Sequence, residues 1–217
     1  MDQGVKKPTV PKHWGNTVGC VMDTETTGLV PGFHEIYQVA IIPFDKHFNR
    51  IKEIPPFIIY MRPQFPERID PKALSMNKES TKMSNGVDQM TGADLLEDWY
   101  NSRFTVYTSE RGMKPKIMPL GHNYQFDKAF ISAWLGAEIY ESMFDYHYRD
   151  SMNTAAYLND YASFHGEELP HPKVSLVSLA NDLHINNEGA HDAGIDALMT
   201  LNVYKELVKR GPVVTIK

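Results

Sequence analysis

The sequence predicts a mixed α/β fold in one medium-sized domain. Runs rich in β-branched and aromatic residues come mostly first, and segments with helical spacing interleave later. No internal repeat and no linker-like stretch divides the 217 residues. A chain of this size buries about 70% of the surface that its unfolded form exposes. The hydrophobic content of 42% is enough to fill such a core.

Taken in order, residues 1–16 mix Pro, Lys and Gly and suggest a flexible leader. Val18–Asp23 is an apolar strand that ends at a turn-rich segment, Thr24–Gly32. Ile36–Phe44 and Phe57–Met61 are further strands, and residues 45–54 between them contain the turn of a hairpin. Over Pro63–Asp88, Pro, Ser, Asn and Lys are scattered without period, so loops and short helices are expected. Thr91–Phe104 places Leu95, Leu96 and Trp99 at helical spacing, with Thr91 as a candidate N-cap. Ile117–Leu120 is a short strand, followed by Gly121-His122-Asn123 and a helix over Tyr124–Leu135. Phe126, Ala129, Phe130 and Ala133 form the apolar stripe expected of that helix.

Residues 143–150 are a candidate strand, Ser151–Tyr161 a helix, and Phe164–Lys173 a polar loop with two prolines. Leu176, Leu179, Ala180 and Leu183 line one face of a helix. A last helix runs from Asp192 to Lys209 and stops at Gly211-Pro212, which leaves residues 211–217 as a short tail.

Composition narrows the function classes. No apolar run approaches the roughly 20 residues of a membrane helix, and the opening MDQGVKKPTVPKHWG has no apolar signal segment. A soluble, cytoplasmic protein with no membrane partner is expected. The single cysteine, Cys20, lies in an apolar run and suits a buried position. A disulfide framework and a Cys/His zinc cluster are both excluded. The net charge of −5 argues against extended duplex binding. It argues less against a protein that grips a few nucleotides at a chain end, because two divalent cations would offset four carboxylates locally.

Three motifs carry chemistry. Asp23-Thr24-Glu25 ends a strand, where residues two apart point to one face. Both carboxylates then project from the strand's carboxyl end, the usual ligand edge of open α/β sheets. Two such neighbours repel unless a cation sits between them, although a polar turn would also use these residues. Gly121-His122-Asn123-Tyr124-Gln125-Phe126-Asp127 places Asp127 in the first turn of a helix, where a carboxylate also suits the helix dipole. The third is His191-Asp192-Ala193-Gly194-Ile195-Asp196. Five residues on a continuous helix turn through about 140°, so His191 and Asp196 share a site only if His191 precedes the regular helix. Gly189 and Ala190 would permit that. Asp192 fits an N-capping role, and spacing alone leaves Asp192 and Asp196 both open as the functional acid.

Asp23-Thr24-Glu25-Thr26-Thr27-Gly28-Leu29, Gly121-His122-Asn123-x-x-Phe126-Asp127 and His191-x₄-Asp196, in this order, resemble the three motifs of the DnaQ-like exonucleases. The histidine makes them similar to the DEDDh branch. The resemblance spans residues 16–209 and includes Ser175-Leu176-x-x-Leu179-Ala180 before the third motif. It implies a ribonuclease H-like α/β fold, a central mixed sheet of about five strands flanked by helices, with residues 17–210 as a single exonuclease domain.

The resemblance also implies an activity. The enzyme would be a metal-dependent 3′→5′ exonuclease that releases nucleoside 5′-monophosphates, with DNA slightly favoured as substrate. Asp23, Glu25, Asp127 and Asp196 would hold two Mg²⁺ or Mn²⁺ ions, with Asp23 bridging them, and His191 would be the general base. Carboxylate oxygens are the hard donors that Mg²⁺ prefers, and an imidazole titrates in the range suited to a base near neutrality. Thr26, Thr27, Gly28, Leu29 and Asn123 would bind substrate, with Leu29 a wedge against the terminal base. The partner implied is a single-stranded nucleic-acid 3′ end, with a replication or repair protein as a further kind of partner.

Three alternatives remain at this point. An exoribonuclease of the ribonuclease T or oligoribonuclease kind shares the chemistry, and no residue identifies a reader of the 2′-hydroxyl. A nucleic-acid-binding or polymerase-accessory module with vestigial catalysis would lack an acid or the histidine, and all five are present. A structural metal domain would show metal-dependent stability without hydrolysis. His34, His165, His171 and His184 have no motif role and suit surface or loop positions, and Glu167, Glu168 and His171 suit a solvated loop.

Overall fold

The computed structural model describes residues 14–76, 83–104 and 112–211. Its sheet has five strands in the order β3-β2-β1-β4-β5. They are β1 (Thr17–Thr26), β2 (Ile36–Pro43), β3 (Phe57–Tyr60), β4 (Lys116–Gly121) and β5 (Arg149–Asp150). β1 is central and pairs antiparallel with β2 and parallel with β4, while β3 extends the antiparallel side and β5 the parallel side. This is the mixed five-stranded α/β sheet that was expected.

Alternation along β1 divides the molecule into layers. Val18, Cys20 and Met22 face a core built with Leu96, Trp99 and Phe104 of α2 (Gln89–Phe104) and Tyr124, Phe130 and Ile131 of α3 (Tyr124–Leu135). Here Cys20 is fully buried, and desolvation pushes its thiol up and out of the reactive range. Val21 faces the other way, with Ala40, Ile42, Met118 and Leu120, onto Ala193, Ala197, Leu201 and Tyr204. These last belong to the long helix that closes the described chain. Gly19 lies between, and a Cβ there would sit 2.5 Å from the Phe44 ring and 2.9 Å from Trp14. Trp14 is buried edge-on against Phe44, and its carbonyl accepts the Thr17 hydroxyl at 2.7 Å. The end of the expected leader therefore packs; its residues 1–13 lie outside the described residues.

Short elements fill the connections. Pro66–Arg68 is a 3-10 turn and α1 spans Pro71–Met76, which suits the irregular composition there. α4 (Ala137–Met143) takes the first residue of the strand expected over 143–150; Phe144 is extended and bridges Ile117, and the strand proper is the pair of residues in β5. After α5 (Ser151–Phe164) and α6 (Leu176–Asp182), α7 runs over Ala193–Arg210. α5 and α6 bury Ala155, Leu158, Leu179 and Ala180 against Met199, Val203 and Leu207 of α7. Among the described residues no helix is long and apolar enough to cross a membrane.

Two local expectations fail for physical reasons. Thr91 does not cap α2; its amide and hydroxyl donate to the Asp88 carboxylate at 2.9 and 2.7 Å, so Asp88 does the capping. In α3 the buried face is Tyr124, Asp127, Phe130, Ile131 and Leu135, while Ala129 and Ala133 are exposed. The helix is rotated so that a carboxylate lies on its inner face, which a stripe drawn through apolar residues misses.

β4 and β5 pair in parallel so that Gly121 lies opposite Asp150. That register sets Asp150 at the starts of two helices. One carboxylate oxygen accepts the Tyr124 amide of α3 at 2.7 Å, and the other accepts the Asn153 amide of α5 at 3.1 Å. Loss of a buried acceptor shared by two helix starts removes a cap from each. Asp150→Ala is expected to lower stability by about 2–3 kcal/mol in urea titrations followed by circular dichroism.

Candidate active site

Asp23 and Glu25 lie on one face of β1, near its carboxyl end, and both are partly buried. The face is the α7 side. There the first turn of α7 brings up Asp196, and oxygens of Asp23, Glu25 and Asp196 all lie within 4.8 Å of one another. Asp127 approaches from the opposite layer. Thr24, which points to that side of β1, donates its hydroxyl to Asp127 Oδ1 at 2.7 Å and fixes the buried carboxylate against the strand. So three predicted acids converge in one cluster, and the fourth, held by its own hydroxyl partner, reaches Asp23 from the other layer and is the charge that raises it most.

Burial and crowding raise the acids together. Desolvation drives Asp23 well above the carboxylate range, and the charges of Asp127, Glu25, Asp196 and Asp192 add to it. Burial, with Asp196 adding, pushes Glu25 up to about 7 against the opposing hydrogen bond from Tyr37, whose hydroxyl donates to Oε2 at 3.2 Å. Asp127 is raised by burial despite the Thr24 bond, and Asp196 is raised by burial despite the backbone amide of His191. Asp196 Oδ1 is buried and makes no hydrogen bond. An orphaned carboxylate oxygen beside two other hard donors fits a divalent cation.

The entry to α7 separates the two aspartates of the third motif. Asp192 is the N-cap: Oδ1 accepts the amides of Gly194 and Ile195 at 3.0 and 3.2 Å. Its Oδ2 accepts Gln38 Nε2 at 3.0 Å and the Tyr60 hydroxyl at 2.7 Å. Burial alone would raise Asp192, but these four donors outweigh it and hold the carboxylate below its ordinary range. Gln38 returns Oε1 to the Ala193 amide at 3.1 Å. A buried glutamine of β2 and a tyrosine of β3 thereby clamp the start of α7. Gln38 was the readable signal, a polar residue inside the apolar run of β2; Tyr37 and Tyr60 had none.

His191 lies before α7 with φ +76°, off the regular helix as the rotation argument requires. Its amide donates to Asp196 Oδ2 at 3.1 Å, so the turn is tied to the acid cluster. The exposed imidazole lines a cleft of about 270 Å³ with Glu25, Thr26, Gly28, Leu29, Tyr37 and Lys72. Lys72, on α1, is a cation that no motif had pointed to.

The other predicted binding residues divide. Leu29 is 75% exposed at the cleft. Thr26 donates to the Gly28 carbonyl at 2.7 Å, and the buried Thr27 hydroxyl accepts the Glu35 amide at 2.9 Å, so both shape the turn. Gly28 is needed because a Cβ would meet the His34 ring at 2.3 Å. Asn123 has φ +60° and accepts the Phe126 amide through its carbonyl at 2.9 Å; its backbone accounts for its identity, and it is not among the cleft-lining residues. His165 and His184 are exposed, but His171 is 2% exposed, contrary to expectation, because Asn159 clamps its backbone at both ends. Glu167 and Glu168 are exposed, and among the described residues no metal-like cluster includes them.

Residues 20–104 match the RNase T family model, described as exonuclease. That segment holds Asp23, Glu25 and the turn after them; Asp127, His191 and Asp196 lie outside it. No curated protein matches. The whole sheet and its helices are similar to exonuclease I of Methylocaldum szegediense, with TM-score 0.68 at 21% identity over 91% of this chain and 41% of that one. The resemblance to the DnaQ-like exonucleases is borne out.

A zinc-bound complex of E. coli exonuclease I with single-stranded DNA is similar at TM-score 0.64 and 22% identity, over 91% of this chain and 42% of that one. Cell-death related nuclease 4 is similar at TM-score 0.66 and 15% identity, over 89% and 64%. The chain thus spans about two fifths of the exonuclease I chains it resembles. The fold is the ribonuclease H-like α/β arrangement, and the family match supports a nuclease.

The raised carboxylates have a thermodynamic sign. A carboxyl whose folded pKa lies above its unfolded value holds more protons when folded, so its contribution to stability falls as pH rises through that interval. For Glu25 the interval runs from its ordinary value, 4.5, to about 7. In EDTA, Glu25→Gln is therefore expected to be more stable than the parent at pH 8, with the difference vanishing near pH 4. Thermal melts across that range check it; a variant less stable at pH 8 would contradict the crowding.

Proposed function

We propose that the chain is a divalent-metal-dependent 3′→5′ exonuclease of the DEDDh kind, acting on single-stranded 3′ ends with DNA slightly favoured. The observation that carries this reading is the convergence of Asp23, Glu25 and Asp196 beside a cleft lined by His191. The family match over residues 20–104 and the single-stranded DNA bound by the E. coli relative support it. The preference for DNA rests on the family resemblance alone.

Asp23, Glu25, Asp127 and Asp196 would hold two Mg²⁺ or Mn²⁺ ions. Such ions supply stabilisation of both the attacking and the leaving oxygen in an in-line displacement. The protein's own groups do the rest. His191 takes a proton from a water molecule whose oxygen attacks the terminal phosphorus. The bond from phosphorus to the 3′ oxygen breaks, which frees a nucleoside 5′-monophosphate, and that oxygen takes a proton from solvent to leave a 3′-hydroxyl on the shortened strand. The backbone tie from His191 to Asp196 keeps the general base beside the acids, and the exposed Leu29, which lines the cleft, would be the wedge against the terminal base.

Digestion of 5′-labelled DNA and RNA oligonucleotides with Mg²⁺, Mn²⁺ or EDTA tests the reading. A ladder shortening from the 3′ end, abolished by EDTA and by Asp23→Ala, is expected. His191→Ala is expected to lower kcat by about 10²–10⁴-fold, the usual contribution of a general base. Near-normal turnover in that variant would remove His191 from its role, and absence of a ladder on every substrate would remove the activity.

A further inference from the structure

Beside the cleft, the loops after β1 and β3 present side chains that the core does not use. Leu29, Val30, Phe33 and Phe65 are 75, 53, 50 and 39% exposed. The Arg68 guanidinium lies against both rings, 3.9 Å from the centroid of Phe65 and 5.2 Å from that of Phe33. Among the described residues no carboxylate pairs with Arg68. Single exposed apolar residues are ordinary, but a contiguous group with a cation at its centre is the mark of a binding surface.

The two loops are tied to each other. Both oxygens of Glu35 are used, accepting the amides of Gln64 at 3.0 Å and Phe65 at 2.9 Å. The Asp70 amide donates to the Thr27 carbonyl at 2.8 Å, and His34 Nδ1 accepts the Val30 amide at 3.0 Å. Ordering exposed aromatic side chains in this way costs conformational entropy. The cluster is also continuous with the cleft: Leu29 and Asp70 line it, one on each loop. His34, packed on Gly28 at the cleft wall, also lines a cavity of about 400 Å³ with Gln64 and Met90.

We propose that Phe33, Phe65 and Arg68 form a platform on which bases upstream of the 3′-terminal dinucleotide stack. The inference rests on the exonuclease reading and adds a grip beyond the terminal residue. Unpaired bases offer flat faces to aromatic rings and to a guanidinium, and the backbone supplies the negative charge that Arg68 lacks as a partner. A duplex keeps those faces inside its stack, so the platform selects single strands. A protein partner would use apolar area without needing rings, and the variants below separate the two.

Phe33→Leu and Phe65→Leu keep an apolar side chain and remove the aromatic face; Arg68→Met removes the charge. Equal thermal melts establish that each variant folds. KM is then measured on a twelve-residue single strand and on a dinucleotide, with binding of the labelled twelve-residue strand followed by fluorescence anisotropy in EDTA. Each variant is expected to raise KM and Kd for the long strand roughly tenfold, with kcat and the dinucleotide KM unchanged. Unchanged KM and Kd for the long strand would overturn the platform while leaving the nuclease intact. Weakened anisotropy binding in a chain that hydrolyses nothing would keep the platform and overturn the nuclease. Absence of binding by the parent chain would overturn the platform too.

Discussion

The rest of this site depends on how carboxylates repel when they are held out of water. Asp23, Glu25 and Asp196 share one small volume, Asp127 stands across β1, and each is raised by desolvation before any neighbour is counted. Hydrogen bonds relieve the cluster only in part. Tyr37 serves Glu25, Thr24 serves Asp127, and the His191 amide serves Asp196, yet one oxygen of Asp196 has no donor at all. A fold optimised for stability alone would not assemble such a group. The surrounding donors hold the acids in place and leave an Asp196 oxygen without a partner, an arrangement that suits a divalent cation.

Asp192 is the counterexample that makes the point. It lies four residues from Asp196 on the same motif, but four donors surround it and its proton is held less tightly than in water. The environment, not the residue type, divides the pair into an acid committed to capping and an acid left with an unpartnered oxygen. Spacing alone could not make this division, because the donors come from β2 and β3, far away in the chain.

Much of the frame was legible in the sequence. The period-two alternation around Asp23 and Glu25 put both on one face, and the rotation per residue of a helix required His191 to stand off α7. Both follow from local geometry. What was hidden depends on long-range contact. The inner face of α3 includes Asp127, since Thr24 gives it a partner in the other layer. Asp88 displaced Thr91 as a cap because helix starts are set by which oxygen reaches the free amides. Asn123, Thr26 and Thr27 belong to a motif, yet their hydrogen bonds shape turns. The cluster of Phe33, Phe65 and Arg68 joins two loops with no shared pattern, so only their meeting in space brings it out.

The clamp at the start of α7 bears on the order in which the molecule assembles. Gln38 and Asp192 are 154 residues apart in sequence, and their bond closes a loop that includes most of the chain. Such a closure gains nothing until β2 and β3 are already paired and able to offer Gln38 and Tyr60 together. The acids meet only where α7 docks on the sheet, so their repulsion opposes that docking and not the pairing of β1 with β2 and β3. During synthesis from the amino end, the strand bearing Asp23 and Glu25 emerges well before Asp196, so the nascent chain is spared the full crowding until α7 has been made.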